Sequence, residues 1–305
     1  MEAIAAQNLR KTFGPVIAVD DVSIAVEEGG IFGFLGPNGA GKTTTIRMLT
    51  GVLTPDAGTV RIRGIEIHKH PLTAKLQMGV IPENGTVYAD LTAEQNLLWT
   101  AKFYGMDRAS RTLRAAEILD RMGLIERRGD MVRTFSKGMR QRLSIACAII
   151  HSPPVLLLDE PTTGLDVYSR RLVIDTIRHM NQEGSTILLT THNIEEANAL
   201  CTNISIIDNG KIVATGSPEK LKKTFDTSRY IEISFEQPVQ HELIAGEGIT
   251  RVENWGDKLR IYTDDPDEAV KYLATLAERN RWRIVSIATS EPTLEEAFVK
   301  LTAGA

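Results

Sequence analysis

The chain has 305 residues, 42% hydrophobic and 24% charged, with a formal net charge of −4. This is the composition of a soluble globular protein with room for about two domains of ~100–200 residues. It argues against a nucleic-acid-binding surface, which needs a basic face, and no apolar run approaches the ~20 residues that span a bilayer. Met1-Glu2-Ala3-Ile4 has no basic stretch ahead of an apolar core, so no signal peptide is expected and a membrane span would have to come from another polypeptide. The two cysteines, Cys147 and Cys201, lie in apolar, helical-looking stretches and read as small buried hydrophobes in a reducing compartment.

Residues 1 to about 30 read as antiparallel β. Ile17, Val19, Val22, Ile24 and Val26 mix with polar residues, and glycines at 14, 29 and 30 mark turns. Ile31-Phe32-Gly33-Phe34-Leu35 reads as a buried strand and runs into Gly36-Pro37-Asn38-Gly39-Ala40-Gly41-Lys42-Thr43, then a helix from Thr43 to Leu49. The octapeptide fits G-x-x-x-x-G-K-[ST] in the strand–loop–helix context that the phosphate-binding loop requires. Its glycines let successive N–H groups turn inward, and the helix N-terminus adds partial positive charge and free donors. Lys42 can then reach the β- and γ-phosphates, and the Thr43 hydroxyl can ligate Mg²⁺.

Val60 to Ile65 alternates like a half-buried strand. From about 92 to 151 the apolar residues Leu97, Leu98, Phe103, Leu113, Ile118, Leu119, Met122 and Leu124 recur at helical spacing, so a helical insertion is expected. Val155–Leu158, Thr186–Leu189 and Ile204–Ile207 read as strands, with helices at about 167–182 and 194–201. Buried strands alternating with helices imply a parallel sheet covered on both faces. Beyond about residue 225 come an alternating strand at Tyr230–Phe235, a short helix over Pro238–Ala245 and a hairpin across Gly256-Asp257. An amphipathic helix at 267–280 and a strand at Arg283–Ile287 follow. The order β-α-β-β-α-β suggests a ferredoxin-like unit, closed by a helix at about 293–302.

Leu156-Leu157-Leu158-Asp159-Glu160 ends a buried strand in two carboxylates. Beside a phosphate loop, Asp159 can hold Mg²⁺, and Glu160 can orient and deprotonate the attacking water. Thr190-Thr191-His192 follows another strand. Ligands bind at the carboxyl ends of parallel strands, which puts His192 on the edge of Gly36 and Asp159, able to bond the γ-phosphate or hold the water. His68 and His70 share a strand face by spacing, but no Cys or carboxylate cluster accompanies them to make a metal site.

With Phe135-Ser136-Lys137-Gly138-Met139-Arg140-Gln141-Arg142 placed shortly before the Asp159-Glu160 strand, the chain resembles the ATP-binding-cassette (ABC) ATPases over residues 3–225. The resemblance implies a P-loop NTPase core of α/β class with antiparallel β and helical subdomains. This core would cover 1–225, with the helical subdomain at about 90–150, and an α+β ferredoxin-like accessory domain would cover 226–305. It implies that Phe13 stacks on adenine and that Gly36, Pro37, Asn38, Gly39, Ala40, Gly41, Lys42, Thr43 and Thr44 hold ATP with Mg²⁺. Gly164-Leu165-Asp166 matches the loop that couples two ATP sites. Ser136 and the Gly138 N–H match groups that contact the γ-phosphate of ATP held by another subunit. One set of motifs per chain then requires a second ABC ATPase subunit, such as a second copy.

Two departures stand out: Glu83 replaces the family's usual glutamine, at a position that the resemblance places with the cofactor-binding residues beside Mg²⁺ and the γ-phosphate or else against the membrane partner, and Lys137 and Met139 replace glycine and glutamine of the signature. The Ser-Lys-Gly-Met-Arg-Gln variant and the tail Glu291–Phe298 resemble ATPases of drug-, sodium- and lipid-export systems. The expected function is the ATPase subunit of an exporter, peripheral on the inner face of the cell membrane, energising a separate permease through the Glu83 region and the helical insertion. The alternative is a soluble ABC ATPase of DNA repair or translation.

Overall fold

The computed structural model describes residues 1–83, 85, 87–224, 229–244, 246, 248–290, 293–296 and 298. It divides into two compact units, Met1–Pro218 and Glu219–Ala305. Residues 225–228, where the sequence changes character, lie outside the described residues.

In the first unit, β1 (Glu2–Phe13) and β2 (Val16–Glu27) form an antiparallel ribbon extended by β4 (Ala57–Ile62) and β5 (Ile65–Glu66), in the order β2-β1-β4-β5. A second sheet contains β3 (Ile31–Leu35), β6 (Met78–Ile81), β7 (Val155–Asp159), β8 (Thr186–Thr191), β9 (Asn203–Asp208) and β10 (Lys211–Gly216), in the order β10-β9-β3-β8-β7-β6. Its strands are parallel except for the β10–β9 hairpin. β3 and β7 are buried at every residue, as strands covered on both faces must be. Ile4, Val22, Val60 and Ile62 from the antiparallel sheet, Phe34, Leu157 and Leu188 from the parallel one, and Ile46 and Leu49 from α1 (Lys42–Leu49) share one core.

Short α2 (Pro71–Lys75) precedes β6. His68 lies in a turn and His70 caps α2, so the expected shared strand face does not form. The strand ends at Glu66 because the chain must turn before Pro71 starts the helix. The helical region comprises α3 (Ala93–Phe103), α4 (Arg108–Arg121) and α5 (Lys137–Ile149). A capping box fixes the start of α3: Thr92 and Gln95 bond each other's backbone N–H. Leu97, Ile118 and Leu119 are buried, whereas Phe103 and Leu113 are 69% and 76% exposed. Helical spacing marks an apolar residue; it does not say whether that residue faces core or solvent. After β7 come α6 (Val167–Gln182), α7 (Ile194–Leu200) and α8 (Pro218–Thr224).

The second unit contains β11 (Arg229–Phe235), β12 (Ile249–Trp255), β13 (Lys258–Thr263), α9 (Pro266–Asn280) and β14 (Ile284–Ser290). The all-antiparallel order β12-β13-β11-β14 is that of a ferredoxin-like sheet. Ile231, Ile233, Leu259 and Ile261 pack against Ala269 and Leu273 of α9. The expected first helix, Pro238–Ala245, is a single 3-10 turn at His241–Leu243; Ala245 lies outside the described residues. The closing helix is seen at Leu294–Glu296 and Phe298, started by a capping box in which Thr293 and Glu296 again bond reciprocally. Pro292, Ala297 and 299–302 lie outside the described residues.

Candidate active site

The carboxyl ends of β3, β7 and β8 are adjacent, and the site is built there. Gly41 sits at φ 106°, a left-handed conformation that turns the loop into α1, and an added Cβ would come within 2.5 Å of the Ala18 carbonyl. Gly36 is as tightly held: a Cβ there would meet the Ile207 carbonyl at 2.4 Å. Lys42, 6% exposed, donates from Nζ to the carbonyls of Gly36 (2.7 Å) and Pro37 (3.1 Å) and lies 3.3 Å from Glu160 Oε1. Buried ammonium and buried carboxylate are thereby matched, since neither is stable alone in low dielectric.

Glu160 holds a left-handed φ of 51°, uncommon for a residue with a side chain. Strain of ~1–3 kcal/mol of this kind persists where surroundings over-determine it. Here the Glu160 N–H donates to the Thr190 hydroxyl (3.0 Å) and carbonyl (3.2 Å). Oε2 of Glu160 accepts from the Thr163 hydroxyl and pairs with His192 Nδ1, both at 2.8 Å. Oε1 has no well-formed hydrogen bond, only the Lys42 ammonium nearby. Asp159, 2% exposed, takes the Thr190 hydroxyl on Oδ1 at 2.6 Å. Lys42, Glu160 and His192 are therefore one bonded cluster, with Asp159 joined to it through Thr190. The parts played by the Thr190 and Thr163 hydroxyls do not follow from the sequence pattern. The available signal for Thr190 was the switch from Ile187-Leu188-Leu189 to two threonines where the strand closes.

A second cluster gathers the signature residues. Ser136 caps α5, its hydroxyl oxygen accepting from the Met139 N–H at 3.2 Å, which leaves the hydroxyl proton free to donate. Gly138 is packed so closely that a Cβ would lie 2.6 Å from Ser169 Oγ and 3.0 Å from Asp166 Oδ2. Asp166 caps α6 by accepting from the Ser169 N–H and hydroxyl, and these bonds hold its carboxyl below the ordinary range. The signature helix and the Asp166 loop thus form one surface. Gln141 ties that surface to the carboxylate loop by donating to the Pro161 carbonyl at 3.1 Å. Among the described residues no hydrogen bond or ion pair links Ser136 or Gly138 to the 36–44 loop.

Phe13 ends β1, 50% exposed, with Lys11 Nζ 5.9 Å from its ring centre. Glu83 is exposed and lines an open cavity of ≈ 330 Å³ with Lys137, Arg140, Gln141 and Thr163. Cys147 and Cys201 are buried free thiols that burial pushes up to about 12, which makes them inert packing residues. Among the described residues no cluster of His, Cys, Asp and Glu is arranged to hold a metal by itself. Thr43 and Asp159 offer the hard oxygen donors that suit Mg²⁺ in a phosphate site.

A glycine loop with its lysine, a strand-end carboxylate pair and a strand-end histidine define a nucleotide hydrolase of P-loop type. The family assignment is more specific. Residues 19–163 match the family described as ABC transporter, and residues 216–302 match the C-terminal domain of DrrA1-3-like ATP-binding proteins. The chain is 34% identical to the linearmycin resistance ATP-binding protein LnrL of Bacillus subtilis (strain 168), covering 98% of each chain. It is 37% identical to the Nod factor export ATP-binding protein I of Ralstonia nicotianae, over 98% of this chain and 93% of that one. A dimeric bacterial ABC transporter cassette superposes with a TM-score of 0.66 at 26% identity, over 70% of this chain and 98% of that chain. The chain belongs to the ABC ATPases, the ATP-binding and ATP-hydrolysing subunits of ABC transporters. These relatives do not favour the alternative of an ATPase of DNA repair or translation.

Proposed function

We propose that this chain is the ATPase subunit of an exporter, working as a pair of ABC subunits on a separate permease at the inner face of the membrane. The observation that carries the reading is the Lys42–Glu160–His192 cluster. Gly36 to Thr44 cradle the triphosphate, with Phe13 on the adenine. Lys42 neutralises charge on the β- and γ-phosphates. Thr43 and Asp159 would hold Mg²⁺, whose charge further offsets that of the phosphates. Glu160 orients a water and takes its proton as the oxygen attacks the γ-phosphorus and ADP leaves; His192 steadies Glu160 through Nδ1. That Ser136 and Gly138 make no hydrogen bond or ion pair with the 36–44 loop among the described residues supports a site completed across a dimer, where they and the Asp166 loop meet ATP on the partner.

Export is supported by the names of the relatives, which speak of drug resistance and export. Docking on a permease is supported by the helical region. Tyr88, Trp99 and Phe103 are exposed around a cavity of ≈ 380 Å³, and Trp99 stacks on Phe103 at 5.3 Å. Exposed apolar patches of this kind mark interaction surfaces. No helix among the described residues is long and apolar enough to cross a membrane, so the permease supplies the spans. Residues 226–305 serve as an accessory domain, and no nucleic acid takes part. Affinity purification of the full-length protein from detergent-solubilised native membranes tests the reading. The expected companion is a polypeptide with several apolar segments of ~20 residues. Its absence, together with ATPase activity stimulated by nucleic acid, would count against it.

A further inference from the structure

Glu196 is a carboxylate that the mechanism above does not use. It lies in the first turn of α7 and is 6% exposed, whereas its neighbour Glu195 is solvated. An acid in a first turn favours the helix dipole, but Glu195 already supplies that from solvent, and the dipole gives no reason to bury a second one. A buried carboxylate is costly unless bonded. Oε2 of Glu196 accepts from the Thr162 hydroxyl at 2.7 Å and from the Thr191 hydroxyl at 3.3 Å, while Oε1 has no hydrogen-bond partner. Burial pushes the carboxyl above the ordinary glutamate range, against the two hydroxyls, which lower it.

The two threonines are the informative part. Thr162 follows Glu160 and Pro161 in the carboxylate loop, and Thr191 immediately precedes His192. The Thr191 hydroxyl also accepts from the Asn193 N–H at 2.9 Å, and Asn193 Oδ1 accepts from the Glu196 N–H at 3.0 Å. One carboxylate oxygen thus fastens the loop bearing Glu160 to the loop bearing His192, behind the 2.8 Å contact between those side chains.

We propose that Glu196 is a positioning residue for ATP hydrolysis, holding Thr162 and Thr191 so that Glu160 and His192 stay in register. The inference rests on the assignment of Glu160 and His192 to hydrolysis. It is tested on the full-length protein by steady-state ATPase kinetics. Glu196→Ala and Thr162→Val should each lower kcat on the order of 10–100-fold, as a small misplacement of reacting groups does, with KM for ATP within about twofold. The conservative variants Glu196→Gln, which keeps the acceptor, and Thr162→Ser, which keeps the hydroxyl, should stay within about threefold of the parent kcat. The double variant Glu196→Ala/Thr162→Val should be no slower than the slower single one, because one link cannot be cut twice. A merely structural role would lower the thermal midpoint and raise KM without this pattern of rescue. Parent-like kcat in Glu196→Ala, or fully additive single effects, overturns the inference. Parent-like turnover in Glu160→Gln overturns the site assignment and the inference with it. An inactive Glu160→Gln beside a parent-like Glu196→Ala removes the inference alone.

Discussion

Two ionic clusters, one in each unit, use similar groups to opposite ends. In the second unit Arg260 donates to Glu232 at 3.0 Å and to Glu296 at 2.8 Å, and its guanidinium lies 3.8 Å from the Trp255 ring centre and 4.7 Å from that of Tyr230. Nε and Nη1 of that guanidinium are both bonded to carboxylates, and Glu296 in turn caps the closing helix. In the first unit Lys42 faces two loop carbonyls and a carboxylate whose Oε1 lacks a well-formed hydrogen bond, on a residue with left-handed backbone. The Arg260 cluster is closed and stabilises the sheet against its final helix. The Lys42 cluster keeps bonding capacity unspent at the site where we propose that phosphate and water enter.

The contrast can be broken experimentally, most severely at Glu160. Glu160→Gln should lower kcat by about 10²–10⁴-fold, the range for loss of a general base, and should trap an ATP-bound dimer on size exclusion. A parent-like rate would show the open carboxylate to be idle. Lys42→Ala should weaken ATP binding by at least about tenfold, near 1.4 kcal/mol, in calorimetric titration; unchanged affinity would sever the loop from phosphate. Arg260→Ala should cost about 1.5–3 kcal/mol of stability in urea unfolding, as loss of charge-assisted bonds does, with ATP affinity unaltered. Reduced ATP affinity there would end the division of labour between the clusters.

The smallest effect concerns His151, which is neither closed nor functional. Its ring stacks on Tyr104, its Nε2 lies 3.3 Å from the Met78 carbonyl and its Nδ1 is unpartnered. Burial holds it down to about 4 from the ordinary 6.5. The unfolded chain therefore takes up this proton first. The contribution to stability is complete above pH 6.5 and declines as pH falls toward 4. His151→Phe, which keeps the stack, should flatten the loss of urea midpoint between pH 7 and 5; an unchanged slope would remove His151 from the acid response.

The site residues closest to backbone motifs were legible in the sequence. Lys42 follows from its glycines, Asp159 and Glu160 from an apolar strand that ends in charge, and His192 from the strand-end rule. What the sequence hid depends on packing. Glu196 resembles any acid in a first helical turn, and only the fold brings Thr162 and Thr191 to it. Phe103 and Leu113 satisfy the helical period yet face outward. The edge strand β10 gave no apolar run, because its partly exposed residues are held by pairing with β9 rather than by burial. The expected first helix of the second unit is one 3-10 turn at His241–Leu243, which no side chain caps.

The order β9-β3-β8-β7-β6 sets the timetable of biosynthesis. β8 lies between β3 and β7, so residues 186–191 must reach the sheet before the phosphate loop and the carboxylate pair can take their places. A nascent chain carries Lys42 from early in synthesis, with no neighbouring strand to bring Glu160 beside it. A product truncated before Thr186 would carry Lys42 without the strand that lies between β3 and β7.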